Sequence, residues 1–250
     1  MAASNPMTVL VPEEENRRAV PSSSSIRVIP DLDVEKLRQM KDIFVVVSAG
    51  TLPNVAPKIR FLAEGHQLRV VFVQEEPNAS WFPQLLEKAD LMILKLIPKL
   101  MFYSDWEVPR RVMNAWRLEQ QDNLIARAAL VGDSLLVQTC ALALFEFDVE
   151  RVPFLRAIKP ERRNTFQVAA DGNYIRWPGT DTQVDLDTLR YFTDPEWRRS
   201  SADATLCDDV VEEDGLSSLS ERVQGIGLAL RECLRVSSLF HPKGPVLGQP

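Results

Sequence analysis

The stretch Ile43-Phe44-Val45-Val46-Val47-Ser48-Ala49-Gly50-Thr51-Leu52-Pro53 decides how this chain is read. Its first five residues are apolar without a polar interruption, and all but Phe44 are β-branched. A run of that kind predicts a strand buried on both faces, as in a parallel sheet covered by helices. Gly50-Thr51 breaks the run, and Pro53 starts a helix with Val55, Ile59 and Leu62 on one face, stopped by Gly65. Leu68 to Val73 repeats the strand pattern and Pro77-Asn78 ends it. Ser80 is placed to cap a helix containing Trp81, Leu85 and Leu86, and Leu91 to Ile97 forms a third apolar run. The order β-α-β-α-β with short connections predicts a parallel sheet with right-handed crossovers, a three-layer unit over residues 31–122.

Outward from this unit the pattern changes. A polar segment from Phe102 to Asn123 predicts one helix, around Val108 to Glu119. Residues 123–200 then read as a β-rich α+β domain. Leu124 to Val131 and Ser134 to Ala141 flank the turn Gly132-Asp133, and Phe145 to Val149 and Val152 to Leu155 add strand. Thr165 to Ala170 and Asn173 to Trp177 flank Asp171-Gly172, a hairpin signal because both residues tolerate positive φ. A helix is expected from Val184 to Phe192. Residues 201–215 are acidic and read as a linker. Ser218-Leu219-Ser220-Glu221 has the form of a capping box, ahead of a C-terminal amphipathic helix over 216–240. Leu216, Leu219, Val223, Ile226, Leu230 and Cys233 make its apolar stripe. Residues 1–30 read as a disordered tail, and 241–250 as a frayed one. The fold class is thus α/β passing into α+β.

Composition narrows the function classes. The chain has 250 residues, 45% of them hydrophobic, and a formal net charge of -6. The negative balance weakens general attraction to nucleic acid and to anionic lipid, without excluding a local basic surface. Cys140, Cys207 and Cys233 are far apart and form no CxxC pair, which favours reduced thiols and a cytoplasmic location. Met1 to Pro30 has no apolar core of a signal peptide, and no apolar run reaches the roughly 18 residues needed to span a bilayer. No membrane association is expected.

The search for chemistry ends each time on a missing residue. A doubly wound sheet holds its ligand beyond the carboxyl ends of the strands. That edge is expected to carry Ser48, Gly50 and Thr51 after the first strand and Gln74 after the second, as a ligand-binding crevice. The loop is neither GxGxxG nor a P-loop with its lysine, so a helix cap and turn is the plainer reading. A phospho-accepting receiver needs an acidic residue where Ser48 stands. His66 and His241 have no second ligand at zinc spacing, and no GxSxG elbow exists. Asp181, Asp185 and Asp187 lie close together, but helix capping explains them better than a cation. Trp177, Trp197 and the arginines Arg162, Arg163, Arg176 and Arg190 read as a mixed solvated face with the tryptophans packed inward, because acidic residues are interspersed. No catalytic residue, metal or cofactor is expected, so the chain reads as a non-enzyme.

Leu130-Val131-Gly132-Asp133-Ser134-Leu135-Leu136-Val137, Asp171-Gly172-Asn173-Tyr174-Ile175-Arg176-Trp177 and Asp185-Leu186-Asp187 together resemble DUF2442, a bacterial family met mostly in cyanobacteria. The resemblance covers roughly residues 54–199, and in that family the domain is sometimes followed by a helix-turn-helix. It implies a transcription-regulator-like or antitoxin-like protein, with no chemistry of its own. Ser218-Leu219-Ser220-Glu221-Arg222-Val223 keeps only part of the turn expected before a recognition helix, so the motif is degenerate. Arg222, Arg231 and Arg235 are the candidate contacts to duplex DNA. Two further readings stand beside regulation through DNA: an interaction or self-association module acting through the C-terminal helix, and a small-molecule sensor using the crevice beyond Ser48 and Gln74.

Overall fold

The computed structural model describes residues 7–14, 17, 20, 26–30, 37, 40, 42–64, 67–75 and 96–203. The chain divides into two compact units between Met113 and Asn114.

The first unit is built on a five-stranded sheet. Strands β1 (Met7–Leu10), β2 (Ile26–Ile29), β3 (Ile43–Ser48), β4 (Leu68–Gln74) and β5 (Leu100–Tyr103) lie in the order β2-β1-β3-β4-β5. Every neighbouring pair is parallel. Helix α1 (Leu52–Glu64) joins β3 to β4. Ile43 to Val47 and Val70 to Val73 are all wholly buried, so the unbroken apolar runs mark strands enclosed on both faces. Helix α1 buries Leu52, Val55, Ala56, Ile59 and Leu62, the stripe its spacing predicts. Pro57 lies inside it and removes the N–H that would bond to the carbonyl of Pro53. Phe44 stacks on Phe72 with ring centroids 6.2 Å apart, and Phe72 meets Tyr103 edge-on at 6.3 Å. These three rings tie β3, β4 and β5 together on one face.

Two expectations are corrected here. Residues 1–30 are not simply a tail, because they supply two of the five strands. Strand β1 is inserted between β2 and β3, and Val9, Leu10 and Val11 have no exposed surface. A short apolar segment between Pro6 and Pro12 is overlooked when its surroundings are polar, yet a central strand needs only a few residues to be fully enclosed. Of the run Leu91 to Ile97, only Leu96 and Ile97 are among the described residues, and neither is strand. Ile97–Lys99 is a 3-10 turn, since Pro98 cannot donate to a sheet ladder, and the apolar residues Leu100–Tyr103 pair with β4 instead. The helix expected after Ser80 lies outside the described residues. Helix α2 (Glu107–Arg117) forms where a helix was expected, with the Asp105 carboxylate accepting from the Glu107 N–H at 3.0 Å.

The second unit holds two small antiparallel sheets. Strands β6 (Ile125–Val131), β7 (Ser134–Thr139) and β8 (Leu144–Asp148) form a meander. Gly132 takes the positive φ of 59° that its tight turn demands. Strands β9 (Gln167–Val168), β10 (Ile175–Arg176) and β11 (Gln183–Val184) form the second sheet. The first two meet as the hairpin read from Asp171-Gly172, where φ of Gly172 is 82°. The Gly172 carbonyl accepts from the Ile125 N–H at 2.8 Å, joining that turn to β6. Val152 to Leu155 is not strand. Pro153 presets the first turn of a short helix, α3 (Pro153–Arg156), and α4 (Pro160–Arg163) follows. Helices α5 (Leu186–Thr193) and α6 (Pro195–Asp203) are the last described elements, α6 reaching into the segment read as a linker. Ile125, Leu135, Val137, Phe147, Leu155, Ile175, Trp177 and Leu189 are among the residues of one buried cluster.

Candidate functional site

Sheet order places the site before any side chain is considered. With β1 between β2 and β3, the winding reverses between β1 and β3, and sheets of this order bind ligands outside the carboxyl ends of the strands at that point. The loops that leave β1 and β3 meet there through Glu13 and Ser48. The Ser48 N–H donates to both carboxylate oxygens of Glu13, at 3.2 and 3.3 Å. The Ser48 hydroxyl donates to Glu13 Oε1 at 2.7 Å. Ser48 Oγ also accepts from the Thr51 N–H at 3.2 Å and lies 3.0 Å from Thr51 Oγ1. Ser48 and Thr51 therefore do cap the turn into α1, as the plainer reading held, and the same hydroxyl clamps a carboxylate.

Backbone hydrogen bonds lace the remaining strand ends. The Ala49 N–H donates to the Gln74 carbonyl at 3.2 Å, and the Glu75 N–H to the Tyr103 carbonyl at 2.9 Å. Register aligns Ser48 with Gln74 and Gln74 with Tyr103. Partners in adjacent parallel strands point to the same face, so these three side chains form one row across the carboxyl edge, with Glu13 clamped to its end. Tyr103 is 2% exposed, and its hydroxyl has no hydrogen-bond partner among the described residues. Burial pushes the Tyr103 phenol well above its ordinary range, and the negative charge of Glu13 pushes it further. The phenol therefore stays protonated and can donate. Trp106 leans on its ring at 5.5 Å, tilted by 59°, and is half-buried.

Of the expected crevice residues, Ser48, Thr51 and Gln74 come together, while Gly50 is exposed in the turn. Glu13 and Tyr103 were missed. Glu13 immediately follows the short run Thr8-Val9-Leu10-Val11-Pro12, so recognising β1 would have put a carboxylate at the switch point. Tyr103 ends an apolar run as Ser48 and Gln74 do, and that shared position was its signal.

In the second unit Arg162, Arg163, Arg176, Arg190, Trp177 and Asp185 are used internally. Arg163 is 12% exposed on its side chain and donates to the carbonyls of Ile158 and Arg156, at 3.1 and 3.3 Å. It also pairs with Asp133 at 3.3 Å and Glu150 at 3.0 Å. The Trp177 indole N–H donates to the Arg163 carbonyl at 2.9 Å, and the ring is buried. Arg190 lies 4.5 Å over the Phe145 ring, Arg176 donates to Gln167 at 3.0 Å, and Arg162 to the Gly179 carbonyl at 3.4 Å. Asp185 caps α5, its carboxylate accepting from the Thr188 N–H at 2.7 Å, while Asp187 faces Arg190 at 3.9 Å. Among the described residues no group of three His, Cys, Asp or Glu side chains is placed to hold a metal ion.

Arg222, Arg231 and Arg235 lie outside the described residues, as do the acidic segment after Asp203 and the C-terminal stripe. Among the described residues no helix is long and apolar enough to cross a membrane. Compared with protein-family models, with curated proteins and with solved structures, the chain matches none.

Proposed function

We propose that this chain is a non-enzymatic regulatory protein of the cytoplasm, in which the first unit senses a small molecule and the C-terminal segment carries the output. The observation that carries the reading is the row Ser48, Gln74 and Tyr103, with Glu13 clamped beside it, at the topological switch point of a doubly wound sheet. Pockets at such points with a few convergent polar groups are the usual ligand sites of the architecture. In the full reading the sheet is covered by helices on both faces, as a three-layer unit. The second unit is a DUF2442-like domain, and residues 216–240 form one amphipathic helix. The output is binding of duplex DNA through Arg222, Arg231 and Arg235, supported by the resemblance and by the partial turn at Ser218 to Val223.

Input and output are tested separately. In a thermal-shift screen of a metabolite library, a compound that binds only the folded state raises the melting temperature, and the effect should fall in a Tyr103→Phe variant. A library in which nothing does so removes the sensor. For the output, fluorescence anisotropy with duplex DNA should show affinity that falls as salt rises and is lost when Arg222, Arg231 and Arg235 are replaced by alanine. Absence of binding at low salt removes the DNA arm. The apolar stripe from Leu216 to Cys233 favours one alternative output, contact with a protein partner or a second copy. Light scattering on the intact chain and on a Leu219→Glu, Ile226→Glu variant tests self-association.

A further inference from the structure

Resting on the sensor reading of the same edge, we propose that the row at Gln74 and Tyr103 takes an uncharged planar heterocycle with a lactam edge, an adjacent C=O and N–H as in hypoxanthine or uracil. The first reason is the Tyr103 hydroxyl. A buried hydroxyl without a partner is costly, and few such groups survive in native proteins unless a ligand or water completes them. Kept protonated, it offers one donor to a ligand acceptor such as a carbonyl oxygen.

The second reason is Gln74, the register neighbour of both Ser48 and Tyr103. Its backbone carbonyl is taken by the Ala49 N–H, while its half-buried side-chain amide makes no hydrogen bond among the described residues. An amide is donor and acceptor at once, and its natural complement is a group with the same two functions side by side. A lactam edge meets that condition. Register places Gln74 and Tyr103 side by side on neighbouring strands, about 4.8 Å apart at the backbone and on the same face.

Charge and shape narrow the class further. The Glu13 carboxylate beside the row disfavours an anionic ligand, and both its oxygens are already engaged by the Ser48 N–H and hydroxyl, which leaves little for a cation. Trp106, half-buried and in contact with Tyr103, supplies an aromatic wall on which a flat ring can stack.

The test is titration calorimetry on the intact chain with inosine, uridine and adenosine, repeated on Tyr103→Phe and Gln74→Leu. Inosine or uridine should bind, adenosine, which has no lactam, at least about tenfold more weakly, and each variant should lose about tenfold in affinity. The unliganded Tyr103→Phe protein should melt at or above the wild-type temperature, which shows that lost binding is not lost fold. Equal binding of adenosine, or undiminished binding by Tyr103→Phe, overturns the assignment. If inosine and uridine do not bind but another library compound does so in a Tyr103-dependent way, the ligand class is wrong and the sensor reading stands. If no compound binds, both fall.

Discussion

Two places in this chain treat their polar groups in opposite ways. In the second unit Arg163 is held by two backbone carbonyls and two carboxylates, the Trp177 N–H has its acceptor, and Asp185 closes the first turn of α5. In the first unit the carboxyl edge of the sheet is tied together at one end by Glu13 and Ser48. At the other end it keeps a buried phenol without a partner among the described residues. A saturated polar network stabilises a fold, while a group left open at the one place where such sheets bind ligands is strain that a ligand can relieve. The comparison teaches where to look: the network around Arg163 and Trp177 is scaffold, and the open phenol at the carboxyl edge of the sheet is the candidate for recognition.

The largest effect should come from removing the centre of the second unit's network. Trp177 is buried in the core cluster, contacts Phe166 at 5.6 Å and spends its N–H on the Arg163 carbonyl. Trp177→Ala should destabilise that unit by about 4 kcal/mol, from lost burial and the cavity left behind. Chemical denaturation followed by fluorescence and circular dichroism measures it. A loss below about 1 kcal/mol would mean that this tryptophan is not core, and the contrast drawn above would lose its scaffold half.

Next is a substitution in the segment that composition assigned to a tail. Leu10 has no exposed surface and sits in β1 between β2 and β3. Leu10→Ala should cost about 3 kcal/mol, whereas a residue in a disordered tail would cost nothing measurable. The same denaturation experiment decides between them. Without β1 there is no switch point, so a null result here would dissolve the site together with the strand.

How much could be read beforehand follows from what each signal depends on. Strands β3 and β4, helix α1 with Val55, Ile59 and Leu62, and the Gly132 and Gly172 turns were legible because each is encoded by neighbouring residues. Strand β1 was not, since Val9 and Leu10 are enclosed only by strands that come later in the chain. Pro98 hid β5 by splitting one apolar run into a turn and a strand. The site was legible only in half for the same reason. Ser48, Thr51 and Gln74 follow recognisable strands, but Glu13 joins Ser48 across 35 positions, and the row to Tyr103 exists only once the register is known.

A smaller effect is expected from the cap of α5. Asp185 has extended backbone and accepts from the Thr188 N–H at 2.7 Å, the geometry of an N-cap. Asp185→Ala should cost about 1 kcal/mol, and Asp185→Asn much less, because an amide oxygen can still accept. If instead the Asp181, Asp185 and Asp187 group held a cation, the asparagine variant would lose a calcium-dependent rise in melting temperature. The capping reading predicts no calcium response in either protein.

The smallest predicted change has the opposite sign and bears on the open end of the edge. Tyr103→Phe removes a buried hydroxyl that has no partner among the described residues and leaves the ring contacts with Phe72 and Trp106 in place. The unliganded protein should therefore gain stability, by about 1 kcal/mol, where almost any other change to a buried residue would reduce it. The sign of the pH dependence follows from the raised phenol. In the unfolded chain Tyr103 ionises near its ordinary value of 10.0, while the folded state holds its proton to higher pH. The folded state then binds more protons than the unfolded one, so this group's contribution is intact below pH 10 and declines as pH rises above it, by up to about 1.4 kcal/mol per unit. Lys99, lowered by burial and by the charge of Arg69, gives a slope of the other sign that ends near its ordinary value of 10.5. Denaturation midpoints of wild type and Tyr103→Phe compared between pH 10.5 and 11.5 isolate the phenol, and the wild type should fall more steeply. Parallel curves would mean that the hydroxyl is already solvated or bonded, and the two ends of the edge would then be equally saturated.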